Sequence, residues 1–286
     1  MPQKVRIKLE KLTVPKIELK VPIEETIGSK IKALDIARAP SVSVYNVHEL
    51  LVNLKPLVRR TEEEVIPVFK SKFSRKVIGF LNQFDLIVPT SHRSPFTVLD
   101  FLREYPIFNP EDDLNKILEE LEDKRARGAP VVDENGNLVG VIDYFDIVRT
   151  LRRNGASSEL KVKDIAREGY TINQNEKVNK AWHKLINKFI PGLVVLNDEG
   201  KPVGIITYKE FVKTNRWFFH REDEARPSTK VKTIMLRGVP VLEPEDPITI
   251  AADKMVSMRV PVLPVSDGRA VFIEDVAKAL SVSTKK

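Results

Sequence analysis

Four times the chain sets an acid three residues after a position where an apolar run gives way to a helical pattern. The pairs are Asn82 with Asp85, Asp143 with Asp146, Thr207 with Glu210, and Phe272 with Asp275. A strand feeding a helix leaves backbone N–H groups and the positive helix end at the junction, a place for an anion such as phosphate. A hydroxyl there adds a donor, and a carboxylate one turn later accepts paired hydrogen bonds from vicinal hydroxyls such as those of a ribose. Thr207 supplies that hydroxyl, with Glu210 one methylene longer than an Asp. Asn82 and Asp85 offer an amide donor and the shorter acid. Asp146 keeps the acid, but Asp143 puts a charge where a phosphate would sit, a repulsion of about 1 kcal/mol or more even in a wet site. Asp143 reads as a helix N-cap. Phe272 removes the polar group altogether, so the fourth junction reads as a structural copy. The ligand candidates are Thr207, Glu210, Asn82, Asp85 and Asp146.

Other chemistry is sparse. His48, His92, His183 and His220 are scattered without metal-ligand spacing, and there is no Cys to act as nucleophile or zinc ligand. No glycine-rich phosphate loop or nucleophile elbow is present, which argues against an enzyme. Basic groups are the other candidates. Twelve Lys and Arg face six acids in residues 1–60, so six of the net +7 charges sit at the front, among them Lys4, Arg6, Lys8 and Lys11. Lys70, Lys72, Arg75 and Lys76 crowd one turn, and Arg216, Trp217 and Arg221 interleave charge with aromatic rings. Such groups pair with phosphates or stack on bases, so RNA, a ribosome or another polyanion is a second class of partner.

The elements that would position these residues repeat. Gly79, Gly140 and Gly204 precede the first three junctions at spacings of 61 and 64 residues, and "AVFIEDVAKAL" near the C-terminus is a fourth copy without the glycine. The pattern predicts strand, helix, strand, strand, helix in each unit. In the second, Tyr105–Phe108 reads as a strand and the residues after Asp112 as a helix. A hairpin turns at Glu134-Asn135-Gly136, and a second helix runs from Asp143 to about Arg153. In the first unit Pro56 is expected to interrupt the first helix. One unit would leave too much apolar surface uncovered, so units should pair, with Asn154-Gly155-Ala156-Ser157-Ser158 as the flexible divide. The division is a basic extension over 1–28, repeats 29–92 and 93–153, then repeats 159–227 and 228–286.

No stretch has signal-peptide or membrane-span character, and the absence of Cys fits a reducing compartment, so a cytoplasmic protein without a membrane role is expected. Charged residues at 30% with three glutamines match a balance seen in many thermophile proteins.

"APVVDENGNLVGVIDYFDIV" and "IPGLVVLNDEGKPVGIITYKEFV" resemble the core of cystathionine-β-synthase-type (CBS) domains, across about residues 28–286. The resemblance implies an α/β fold of four β-α-β-β-α repeats paired into two lobes. It further implies a non-catalytic protein needing no cofactor, which takes AMP, ADP, ATP or S-adenosylmethionine as a regulatory ligand between paired repeats. It would relay occupancy to a protein partner, and a homodimer is compatible with that role. A two-lobed RNA- or ribosome-binding factor with decayed clefts is the alternative.

Overall fold

The Asn-Gly turn forms as its sequence dictates. Gly136 takes φ 77°, which glycine adopts without a steric penalty, and joins two antiparallel strands. The computed structural model describes residues 26–61, 63–89, 93–214 and 229–283.

Unit one holds α1 (Ile27–Lys30), α2 (Ala33–Ile36), α3 (Leu51–Thr61), β1 (Val65–Phe69), β2 (Val77–Asn82) and a 3-10 helix, Gln83–Ile87. Unit two holds α4 (Val98–Phe101), α5 (Leu114–Asp123), β3 (Gly128–Val132), β4 (Leu138–Asp143) and α6 (Tyr144–Arg153). Unit three holds α7 (Val162–Ile165), β5 (Thr171–Asn173), α8 (Val178–Lys188), β6 (Gly192–Leu196), β7 (Pro202–Thr207) and α9 (Tyr208–Thr214). Unit four holds a 3-10 turn at Val231–Thr233, α10 (Ile248–Met258), β8 (Val262–Pro264), β9 (Ala270–Phe272) and α11 (Ile273–Ser281). The class is mixed α/β with small sheets.

Each hairpin ends with the junction residue opposite the start of the first strand: Val65 faces Asn82, Gly128 faces Asp143, Gly192 faces Thr207 and Val262 faces Phe272. The junctions therefore sit at the same corner of every unit.

Several local readings are corrected. The leading strand is a true strand only in unit three. Elsewhere it shrinks to single bridges, Val44 to Val68, Phe108 to Val131 and Leu242 to Val265. Helix α3 runs through Pro56, giving up the bond that proline cannot donate, and its buried Leu51, Leu54 and Val58 hold it against the core. The divide at 154–158 is anchored at one residue: Ala156 is buried, and its carbonyl accepts from Arg152 Nη1 at 2.8 Å, while Asn154 and Gly155 are exposed.

A crossing of linkers was not foreseen. After each short leading helix one extended residue bridges to the neighbouring unit. Arg38 meets Val141 of β4, Arg103 meets Phe80 of β2, Arg167 meets Ala270 of β9, and Leu236 meets Ile205 of β7. The repeated glycines make room for this crossing. A Cβ on Gly79, Gly140 or Gly204 would lie 2.6, 2.9 or 2.4 Å from the carbonyl oxygen of Arg103, Arg38 or Leu236.

The β1–β2 sheet packs on the β3–β4 sheet, and β8 on β6 and β7. Across the two halves α6 packs against α10 and α11, while α9 packs against α3 and the 3-10 helix of unit one. Buried side chains from all four units form one core cluster. No helix among the described residues is long and apolar enough to cross a membrane.

Candidate functional site

The crossing residues bring three arginines onto the junction acids. Arg103 grips Asp85 through Nε at 3.1 Å and Nη2 at 2.7 Å, and Asp85 Oδ2 also caps the Asn82 N–H at 2.8 Å. Asn82 is fully buried, its Nδ2 donating to the carbonyls of Glu64 and Gly128 and its Oδ1 accepting from the Arg127 N–H. At the third junction Leu236 replaces the arginine. There Glu210 Oε2 accepts from the Thr207 hydroxyl at 2.6 Å and the Thr207 N–H at 2.8 Å. Burial pushes the Glu210 carboxyl up, against those two bonds. Asn82, Asp85, Thr207 and Glu210 are thus all committed to bonds within the protein.

The second junction is the most heavily bonded. Asp143 caps α6 by accepting from the Asp146 N–H at 2.9 Å, as an N-cap acid does. Its other oxygen accepts from Arg38 Nη2 at 3.0 Å and from Arg259 Nη2 at 3.1 Å. Arg38 continues to Asp146 at 2.9 Å and to Glu63 at 2.7 Å, while Arg149 holds the other oxygen of Asp146 at 3.0 Å. Burial works to raise the Asp143 carboxyl, but Arg259 and Arg38 bring it below the usual carboxylate range. Burial, with the Asp143 charge beside it, pushes Asp146 up to about 7.

The fourth junction opens onto a cleft of about 480 Å3, counted to its open mouth and including open solvent. Its cations are Arg125, Arg127, Arg167 and Lys278; its acids are Glu122, Glu274 and Asp275; Tyr144 and Phe189 supply rings. Arg167 bonds Asp275 Oδ1, Lys278 bonds Glu122, and Arg127 Nη2 lies 3.5 Å from Glu274. The Arg127 guanidinium stands 5.4 Å from the Tyr144 ring centre. Arg127 Nε, Arg167 Nε and Asp275 Oδ2 are buried and have no hydrogen-bond partner. A buried polar atom left unpaired costs roughly 1–3 kcal/mol, a cost that a water or a polar occupant of the cleft would relieve. The fourth junction, read from sequence as a structural copy, opens onto this cleft.

Sequence reading missed Arg38, Arg103 and Arg167. Their signal was present in Asp35-Ile36-Ala37-Arg38, Asp100-Phe101-Leu102-Arg103 and Asp164-Ile165-Ala166-Arg167, broken only at Thr233-Ile234-Met235-Leu236. Of the basic candidates, Lys70, Lys72, Arg75 and Lys76 lie exposed on the β1–β2 hairpin beside Phe73, which is 99% exposed. Lys4, Arg6, Lys8, Lys11, Arg216, Trp217 and Arg221 lie outside the described residues.

Residues 98–153 and 162–215, within units two and three, match the CBS domain family. Among curated relatives in Methanocaldococcus jannaschii, MJ1404 is 36% identical over 95 residues and MJ1232 is 37% identical over 114. These matches cover 33% and 39% of this chain but only 23% and 36% of the relatives. MJ1225 of the same organism is 25% identical over 224 residues, 74% of this chain and 80% of the relative. Its crystal structure, described as that of a candidate archaeal homologue of g-AMPK, superposes with a TM-score of 0.73 at 18% identity. The superposition covers 87% of this chain and 99% of that one. A conserved protein from Pyrococcus horikoshii gives 0.60 at 19% identity, covering 87% and 100%. These likenesses show a shared fold.

Proposed function

We propose that the chain is a non-catalytic regulatory module. It binds an adenine nucleotide of the AMP, ADP or ATP type in the cleft at Asp275 and relays occupancy to a protein partner. One observation carries the reading: three buried polar atoms without partners, two guanidinium Nε and one carboxylate oxygen, belong to residues that line one open cleft. The guanidinium groups of Arg127 and Arg167, with Arg125 and Lys278 nearby, suit a phosphate. Asp275 Oδ2 suits a ribose hydroxyl, and Tyr144 and Phe189 offer faces to a base. The match of residues 98–153 and 162–215 to the CBS domain family supports adenosine-type chemistry, and the fold shared with MJ1225 is consistent with a regulatory role.

Titration calorimetry with AMP, ADP, ATP and S-adenosylmethionine tests the reading. It predicts one nucleotide per chain, with affinity lowered about tenfold or more by Arg125→Ala and by Asp275→Asn, a loss of about 1.4 kcal/mol. Absence of heat at millimolar ligand, or binding indifferent to both substitutions, overturns it.

A further inference from the structure

Units two and four face each other across α6 and α11, and their junctions correspond position by position. Arg125 and Arg259 both follow the first helix in the left-handed region, at φ 49° and 51°. Arg167 and Arg38 occupy the same crossing position, as do the acids Asp275 and Asp146 one turn into α11 and α6, and Lys278 and Arg149 one turn further. Three cations and one acid therefore recur. Two of the differences add carboxylates at the second junction: Asp143 stands where unit four has Phe272, and Glu63 of unit one stands where unit three has Ile190.

Those two extra carboxylates bond the cations that the fourth junction directs at its open cleft. Glu63 takes both Nη atoms of Arg38 at 3.0 and 2.7 Å, and Asp143 takes Arg38 and Arg259 together. Both acids are fully or nearly fully buried. The arginines are 26% and 24% exposed, so their heads reach the surface. Two unit negative charges against the guanidinium groups is the arrangement a bound phosphate monoester dianion would make.

We propose that Asp143 and Glu63 are a built-in substitute for a dianion, and that the second junction is a latent phosphate site held shut by them. The comparison rests on reading the Asp275 cleft as a phosphate site. Removing the Asp143 carboxylate leaves Arg38 and Arg259 short of one counter-charge, and an external phosphate becomes the compensating partner.

The probes are inorganic phosphate and AMP, and the variants are Asp143→Ser, which keeps a helix-capping oxygen, and the near-isosteric Asp143→Asn. In thermal denaturation at constant ionic strength with chloride as the control salt, phosphate is expected to raise the midpoint of either variant more than that of the natural chain. In calorimetry AMP stoichiometry is expected to rise from one to two per chain. If the natural chain binds no AMP, the reading of the Asp275 cleft fails on its own, while the phosphate-dependent midpoint still decides the latent site. Equal phosphate responses in the natural chain and both variants overturn the inference.

Discussion

Asp275 is the residue on which most depends, and its titration gives a test separate from binding. Burial pushes its carboxyl up to about 7, against the pull of Arg167, and Asp146 is raised to about 7 as well. An acid whose folded pKa lies above its unfolded value of about 3.9 keeps its proton longer when folded. Its contribution to stability is full below about pH 4 and is lost as pH rises towards 7. Stability measured by urea unfolding should therefore fall between pH 5 and pH 7, and fall less in Asp275→Asn; a slope unchanged by that substitution contradicts the assignment. The four junction acids were legible from their spacing alone. Their arginine partners were not, because Arg38 and Asp146 lie 108 residues apart, as do Arg167 and Asp275, and nothing local links them. Judging Asp143 by the repulsion it offers a phosphate left out the two guanidinium groups that bond it.

At the scale of elements, the repeated glycines were visible and their reason was not. The hairpin, the helical spacing of α5 and the end of α6 follow from turn chemistry and periodicity, which are local. The crossing linkers are tertiary: the strand glycine is needed because another unit's backbone passes over it. Gly204→Ala would put a Cβ 2.4 Å from the Leu236 carbonyl, which is backbone and cannot swing aside. We expect that substitution to cost about 1–3 kcal/mol in urea unfolding, with little change in m. A cost under about 0.5 kcal/mol would mean that the linker moves freely and does not fix its arginine-bearing equivalents.

At the scale of the whole molecule, buried polar contacts tie the halves together. Tyr208 bonds Glu64 of unit one, the Lys209 ammonium lies 3.3 Å from Glu64, and Arg259 of unit four reaches Asp143 of unit two. Unpairing any of these would leave a buried charge, so the four units should unfold in one transition. The Asp275 cleft is lined from units two, three and four, so its occupant touches both halves. A ligand at a hundred times its Kd should raise stability by about 2.7 kcal/mol in calorimetry while leaving the transition single; two separate transitions would contradict the shared core. The central claim is that the open cleft receives a nucleotide, and a crystal structure of the chain grown with AMP tests it most directly. The account predicts one AMP per chain, its phosphate among Arg125, Arg127, Arg167 and Lys278 and a ribose hydroxyl on Asp275 Oδ2. An empty cleft, or AMP seated at Thr207 and Glu210 instead, would contradict it.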